Sequence, residues 1–196
     1  RWRIVTRGVA AHSAYPERGE NAIYAMGHVL ERLEEYGNAL RGSAPHPLLG
    51  SPSLSAGVIE GGEAVNIVPD RCMVEVDRRT LPGESTEEVL GAVRRSLGVV
   101  PGWEFDPPHL AVAGMEVPAE SPVVRLLAGA ISGVCGEVQV EAAQYATDAG
   151  IYNGAGIPSV VFGPGDIAQA HTAEEWIDCE SLRAAAAVIR SLISQQ

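Results

Sequence analysis

Cysteine is scarce in this chain. Three cysteines among 196 residues, none in Cys-x-x-Cys spacing, leave no disulfide framework and no cysteine cage for a metal. Cys72, Cys135 and Cys179 read as reduced thiols, so a cytoplasmic protein is expected. Positive charge is also short. A net charge of −11 argues against nucleic acid and against an anionic membrane surface. No apolar run is long enough to span a bilayer, and no signal peptide is present. There is no His-x-Asp and no His-Glu-x-x-His, and His12, His28, His46, His109 and His171 stand at no metal-pair spacing. A zinc site needs about three or four protein ligands, so no reading closes one from this chain alone. An initiator methionine is missing as well. The chain opens "RWRIVTRG", already a strand pattern, and the expectation is that further sequence lies upstream.

What remains is a globular composition, 46% hydrophobic and 20% charged. Residues 1–115 read as strand, helix, strand, strand, helix, strand. Trp2, Ile4 and Thr6 share one side of the opening strand. Ile23, Met26, Leu30 and Leu33 carry helical spacing, with an end expected at Gly37 and Asn38. "LSAGVIEGG" and "RCMVEVDRRT" read as strands, with "VNIVPD" as a connection. Ser85 or Thr86 caps a helix with stripe Val89, Leu90, Val93 and Leu97, and "WEFDPPHLAVAG" supplies a final strand. This βαββαβ order is the ferredoxin-like pattern, whose sheet leaves a free face and edges that suggest a partner.

Residues 116–196 differ. A helix begins near Pro122, "EVQVEAA" alternates as a short strand, and "IPSVVF" has the run of a buried parallel strand. A last helix from about Glu180 to Ser194 would face Leu182, Ala186, Ile189 and Ile193 inward. Two strands make an incomplete sheet for an α/β domain.

The candidate residues lie in loops. His171 follows the "SVVF" run and the Gly163-Pro164-Gly165 loop, a place where sites form and where glycine lets main chain approach a ligand. The alternative is a loop histidine with local hydrogen bonds. Glu174 and Glu175 behind it are supporting acids or the charged approach to a helix. His12 lies past a strand end among small residues, as a functional group or a turn histidine. Asn66 sits in a Gly-rich connection that asparagine suits by itself. Arg78 shares the face of the apolar residues, and Arg79 lies on the polar face. Either clamps a carboxylate or pairs with a neighbouring acid.

Taken together and in order, "AAHSAYPERGENA", "GGEAVNIVPDRCMVEVDRRTLPGE" and "TDAGIYNGAGIPSVVFGPGDIAQAHTAEEW" resemble the di-zinc amidohydrolases. That family contains acetylornithine deacetylase, succinyl-diaminopimelate desuccinylase, aminoacylase and carboxypeptidase G. The resemblance runs over nearly the whole chain and is nearest to acetylornithine deacetylase-like members. It implies a ferredoxin-like dimerisation lid over residues 1–115, followed by the C-terminal part of a mixed α/β, zinc-peptidase-like catalytic domain over 116–196. It implies that His12 reaches a neighbouring subunit's site and polarises the scissile carbonyl. Asn66 and Arg79 would hold substrate, Gly163, Pro164 and Gly165 would line the pocket, and His171 would be the last metal ligand.

The other ligands and the general base belong, by the same resemblance, to a segment absent from this sequence. Two ions are implied, zinc or else cobalt or manganese. The substrate would be an N-acyl amino acid or a short peptide, and the partner a second copy bound through the lid. Gly150 stands where some members carry an arginine associated with the substrate carboxylate. On this reading the chain by itself is inactive. The competing reading is a truncated, non-catalytic dimerisation or binding module.

Overall fold

A computed structural model gives the fold of residues 1–98 and 100–194. Its contacts divide the chain into two units, Arg1–Gly114 and Met115–Gln196.

The first unit runs β1 (Trp2–Arg7), β2 (Ala11–His12), α1 (Ala22–Arg41), β3 (Ser53–Gly61), β4 (Ile67–Val68), β5 (Arg71–Arg79), α2 (Thr86–Leu97) and β6 (Trp103–Phe105). Four strands form an antiparallel sheet in the order β3-β5-β1-β6, the ferredoxin-like arrangement. Residues directly opposite one another share a face. Trp2 opposite Val76, Ile4 opposite Val74 and Thr6 opposite Cys72 therefore make one apolar layer. Met26, Val29 and Leu33 of α1 and Val89, Val93 and Leu97 of α2 close over it. Each buried aliphatic chain contributes about 1.5–3 kcal/mol by leaving water. The one buried hydroxyl in this layer, on Thr6, is satisfied by donating to the Ala22 carbonyl at 2.8 Å, which ties β1 to the start of α1.

Local chemistry sets the helix ends. Asn21 caps α1 by accepting from the Ile23 and Tyr24 amides. Ser85, not Thr86, caps α2, in a reciprocal box with Glu88. The helix end expected at Gly37 is wrong. Gly37 is buried inside α1 beside Leu54, and the helix continues to Arg41. "VNIVPD" is more than a connection, because Ile67 and Val68 pair with Ala11 and His12.

The face of the sheet away from the helices is charged and solvated. Arg1 pairs with Asp77 at 2.8 Å, Arg3 with Glu75 at 3.0 Å and Arg7 with Glu104 at 3.5 Å. His109 joins Glu75 at 3.2 Å. Such pairs add little stability each, about 0–1 kcal/mol. What they do is make this face compatible with water. The exposed edge strand β3, with Val58 and Ile59 half open, is the unsatisfied surface of the unit.

The second unit contains α3 (Pro122–Cys135), α4 (Ala149–Gly154) and α5 (Cys179–Ser194). Helices α3 and α5 pack together through a small set of buried residues that includes Ala130, Ala185 and Val188. The strands expected at "EVQVEAA" and "IPSVVF" do not form among the described residues. A strand needs a neighbour to take its backbone hydrogen bonds, and none is within the unit. The inward stripe expected for α5 is also corrected. Leu182 is 52% exposed, Ile189 49% and Ile193 69%, while Ala185 and Val188 make the contact.

Candidate functional site

His12 is presented by a small closed loop. Val9 and Glu20 bridge, and β2 pairs with β4, so that the chain doubles back between residues 9 and 20. Gly8 and Gly19 make this possible. A Cβ on Gly8 would lie 2.0 Å from the Glu20 carbonyl oxygen, and one on Gly19 would lie 2.6 Å from that of Val9. At the tip, the Ser13 amide donates to the Asn66 carbonyl at 3.0 Å, which brings His12 and Asn66 side by side. Both side chains are exposed, and the Asn66 carboxamide makes no hydrogen bond with the described residues. The Ala14 amide donates to His12 Nδ1 at 3.0 Å. A nitrogen that accepts carries no proton, so the neutral ring holds its proton on Nε2. His12 thus offers a single N–H donor outward.

Arg79 is not brought to this pair. It ends β5, and the β2–β4 ladder lies at the other end, about 27 Å away by strand rise. Its guanidinium is held by Asp77 at 2.9 Å, a carboxylate shared with Arg1. Arg78 is buried and pairs with Glu84 at 2.6 Å. Glu84 also accepts from the Leu81 amide at 2.6 Å, and the Arg78 guanidinium donates to the Arg79 carbonyl. This buried clamp fixes the turn after Arg79. Of the two readings weighed for these arginines, both here pair with a neighbouring acid.

In the second unit, Gly163, Pro164 and Gly165 form an exposed loop, with Gly165 at φ +85°. Asp166 accepts from the Ala168 amide at 2.9 Å and starts a short 3-10 turn. The Gln169 carbonyl accepts from the Thr172 hydroxyl at 2.9 Å. His171 follows at φ +63°, the only non-glycine residue in the left-handed region among those described. That conformation costs on the order of 1–3 kcal/mol and clusters at functional sites. The His171 amide donates to Glu175 Oε2 at 3.0 Å, and its exposed imidazole makes no hydrogen bond with the described residues. Of the two acids behind His171, Glu175 is the one whose carboxylate engages its backbone. An open groove of about 530 Å³ lies elsewhere in this unit, lined by Thr147, Asp148, Tyr152, Ser159 and Phe162.

Nowhere among the described residues do three His, Cys, Asp or Glu side chains gather as a metal cage. Among the described residues the imidazole of His171 is exposed and unengaged, a single nitrogen donor rather than a cage. Among ionisable groups, Glu75 is held below its ordinary carboxyl value, chiefly by the Arg3 hydrogen bond. Glu88 is lowered by Ser85. Burial pushes the Cys72 thiol up, so it is an inert core group.

Comparison with known proteins gives a consistent picture. The family model for the M20 peptidase dimerisation domain matches residues 1–102. Acetylornithine deacetylase of Myxococcus xanthus is 32% identical over 97% of this chain and 51% of its own length. The Photorhabdus laumondii acetylornithine deacetylase is 32% identical over 97% and 49%. The chain thus spans about half the length of the curated relatives it matches. In fold it is similar to an aminopeptidase of Bacillus cereus, with TM-score 0.75 at 20% identity over 99% of this chain and 50% of that one. It is also similar to an M20 family metallo-carboxypeptidase of Sulfolobus solfataricus, with TM-score 0.70 at 16% identity over 98% and 57%.

Proposed function

The chain belongs to the family of the M20 peptidase dimerisation domain, and on that premise we propose that it is the lid and C-terminal portion of a metal-dependent amidohydrolase. The complete enzyme would remove the acyl group from an N-acyl amino acid or cleave a short peptide, acetylornithine deacetylase-like in its choice. The units at 1–115 and 116–196 are then the dimerisation lid and the end of the catalytic domain.

One observation carries this reading furthest: the separation of Arg79 from the His12–Asn66 pair. An N-acyl amino acid is far shorter than the roughly 27 Å of strand between them. Within one protomer both cannot touch one substrate. A two-fold dimer removes the difficulty, because one protomer's His12 and Asn66 can serve a substrate held by its partner's Arg79. The edge strand β3 and the adjoining groove of about 350 Å³, lined by Leu30, Leu33, Gly37 and Leu54, are the surface proposed for that partner.

The chain's residues take the following roles. His12 donates Nε2–H to the amide carbonyl oxygen as it gains negative charge. Asn66 donates its carboxamide N–H to the same substrate. Arg79, pre-oriented by Asp77, takes the carboxylate end. Gly163, Pro164 and Gly165 let the substrate lie against main chain. His171 supplies one imidazole nitrogen to the metal site. Two ions held there, zinc or else cobalt or manganese, would supply Lewis acidity toward the amide carbonyl and toward water. The upstream general base and remaining ligands lie outside this chain.

Unit two supports the same reading. Helix α3 carries one charge in fourteen residues yet leaves Leu126 and Val134 open. Such an all-round apolar helix belongs in a core. The second reading is a truncated dimerisation or binding module without catalysis, which the match of residues 1–102 to a dimerisation domain also fits. Deacylation assays on the longer protein decide between them. His12→Ala there should lose about 10²–10³ in turnover, and normal turnover in that variant would remove His12 from the mechanism.

A further inference from the structure

His171 pays for its place in the loop. A residue with a β-carbon is uncommon at φ +63°, although histidine takes it more often than most, and glycine would be the relaxed choice. Glycine has no imidazole. If the position must carry a ligand, something else has to hold the turn. Its amide N–H points at Glu175 Oε2, 3.0 Å away. A carboxylate accepting a backbone N–H makes a charge-assisted bond, roughly twice as strong as a neutral one. On the other side, Thr172 grips the Gln169 carbonyl through both its hydroxyl, at 2.9 Å, and its amide, at 3.4 Å. The turn is therefore braced before and after His171, while the imidazole itself stays unengaged. Glu174, one residue away and equally acidic, makes no such contact.

We propose that Glu175 is the positioning residue for His171: its carboxylate holds the left-handed turn that aims the imidazole at the metal. This rests on the function proposed above. Glu175 does not touch the metal or the substrate. It acts through one backbone hydrogen bond, which sets the turn and so the direction in which the His171 side chain leaves the main chain. Partners that orient a ligand in this way typically matter about 10–100-fold in metal affinity.

The test has two arms. In the present chain, the His171 amide is followed by hydrogen exchange and by its HN–Hα coupling. Glu175→Ala should speed exchange and remove the left-handed coupling. Glu175→Gln keeps a carbonyl acceptor and should retain both, and Glu174→Ala should change neither. In the longer enzyme, metal affinity is measured by chelator competition. Glu175→Ala should weaken it by about 10–100-fold, Glu175→Gln should recover most of that loss, and the thermal midpoint should not move. An unchanged His171 turn in Glu175→Ala overturns the proposal, as does wild-type metal affinity in that variant while His171→Ala loses it. If His171→Ala itself keeps full affinity, the metal-ligand reading fails first and the role of Glu175 falls with it.

Discussion

At the scale of single residues, the account depends on close approaches that side chains would prevent. Gly8 is the sharpest case, since any Cβ would collide with the Glu20 carbonyl. Gly8→Ala should destabilise the first unit by about 1–3 kcal/mol, as overpacking does. It should also loosen the His12 loop. Urea unfolding measures the first, and the exchange rate of the Val9 amide, bonded to Glu20 at 2.9 Å, measures the second. An unchanged midpoint would contradict the close packing. Some of this was legible from the sequence. The small residues around His12 announced room for close approach, and the Gly-Pro-Gly run before His171 announced an exposed loop. The hydrogen bond from Ala14 to His12 Nδ1 was not legible, because it depends on a side-chain rotamer. Nor was the choice of Glu175 over Glu174, which depends on a positive φ that no spacing rule encodes for histidine.

At the scale of elements, period and capping carried most of the first unit. Alternation along Arg71–Arg79 gave the buried face of β5, and the Ser85 box gave the start of α2. Gly37 misled because it lies buried within α1, whose end is at Gly42 instead. The second unit was less legible, since "IPSVVF" has strand composition but pairs with no strand among the described residues, and α5 packs chiefly on α3. Two predictions belong here. Ile59→Lys on the edge strand should convert a dimer to monomer in sedimentation without loss of folding, because Ile59 is half exposed. A variant that remains dimeric moves the interface away from β3. The second concerns pH. Glu75 and Glu88 have folded values below their ordinary 4.5, so their stabilisation is present above pH 4.5 and is lost as pH falls below it. Urea midpoints should hold from neutral pH to about 5 and then decline, and the decline should be shallower in Glu88→Gln. An identical acid slope in that variant would show that the capping box is not the titrating element.

At the scale of the whole molecule, an open sheet edge and an under-covered α3–α5 pair describe a chain with surfaces made for other surfaces. The lid architecture could be anticipated from βαββαβ order. A second copy was expected from the sheet edges and the resemblance, but where β5 puts Arg79 relative to His12 was not legible, because that is a property of the folded sheet. The central claim is that one protomer's His12 completes its partner's site. Mixing tests it most directly in the longer enzyme. His12→Ala and Arg79→Ala proteins, each nearly inactive alone, are unfolded together, refolded and assayed for deacylation. If the sites are shared, half the dimers are mixed and each carries one intact site, so about a quarter of wild-type activity should return. If activity stays at the level of the separate variants while mixed dimers are present, His12 and Arg79 act within one protomer, and the shared site proposed here is wrong.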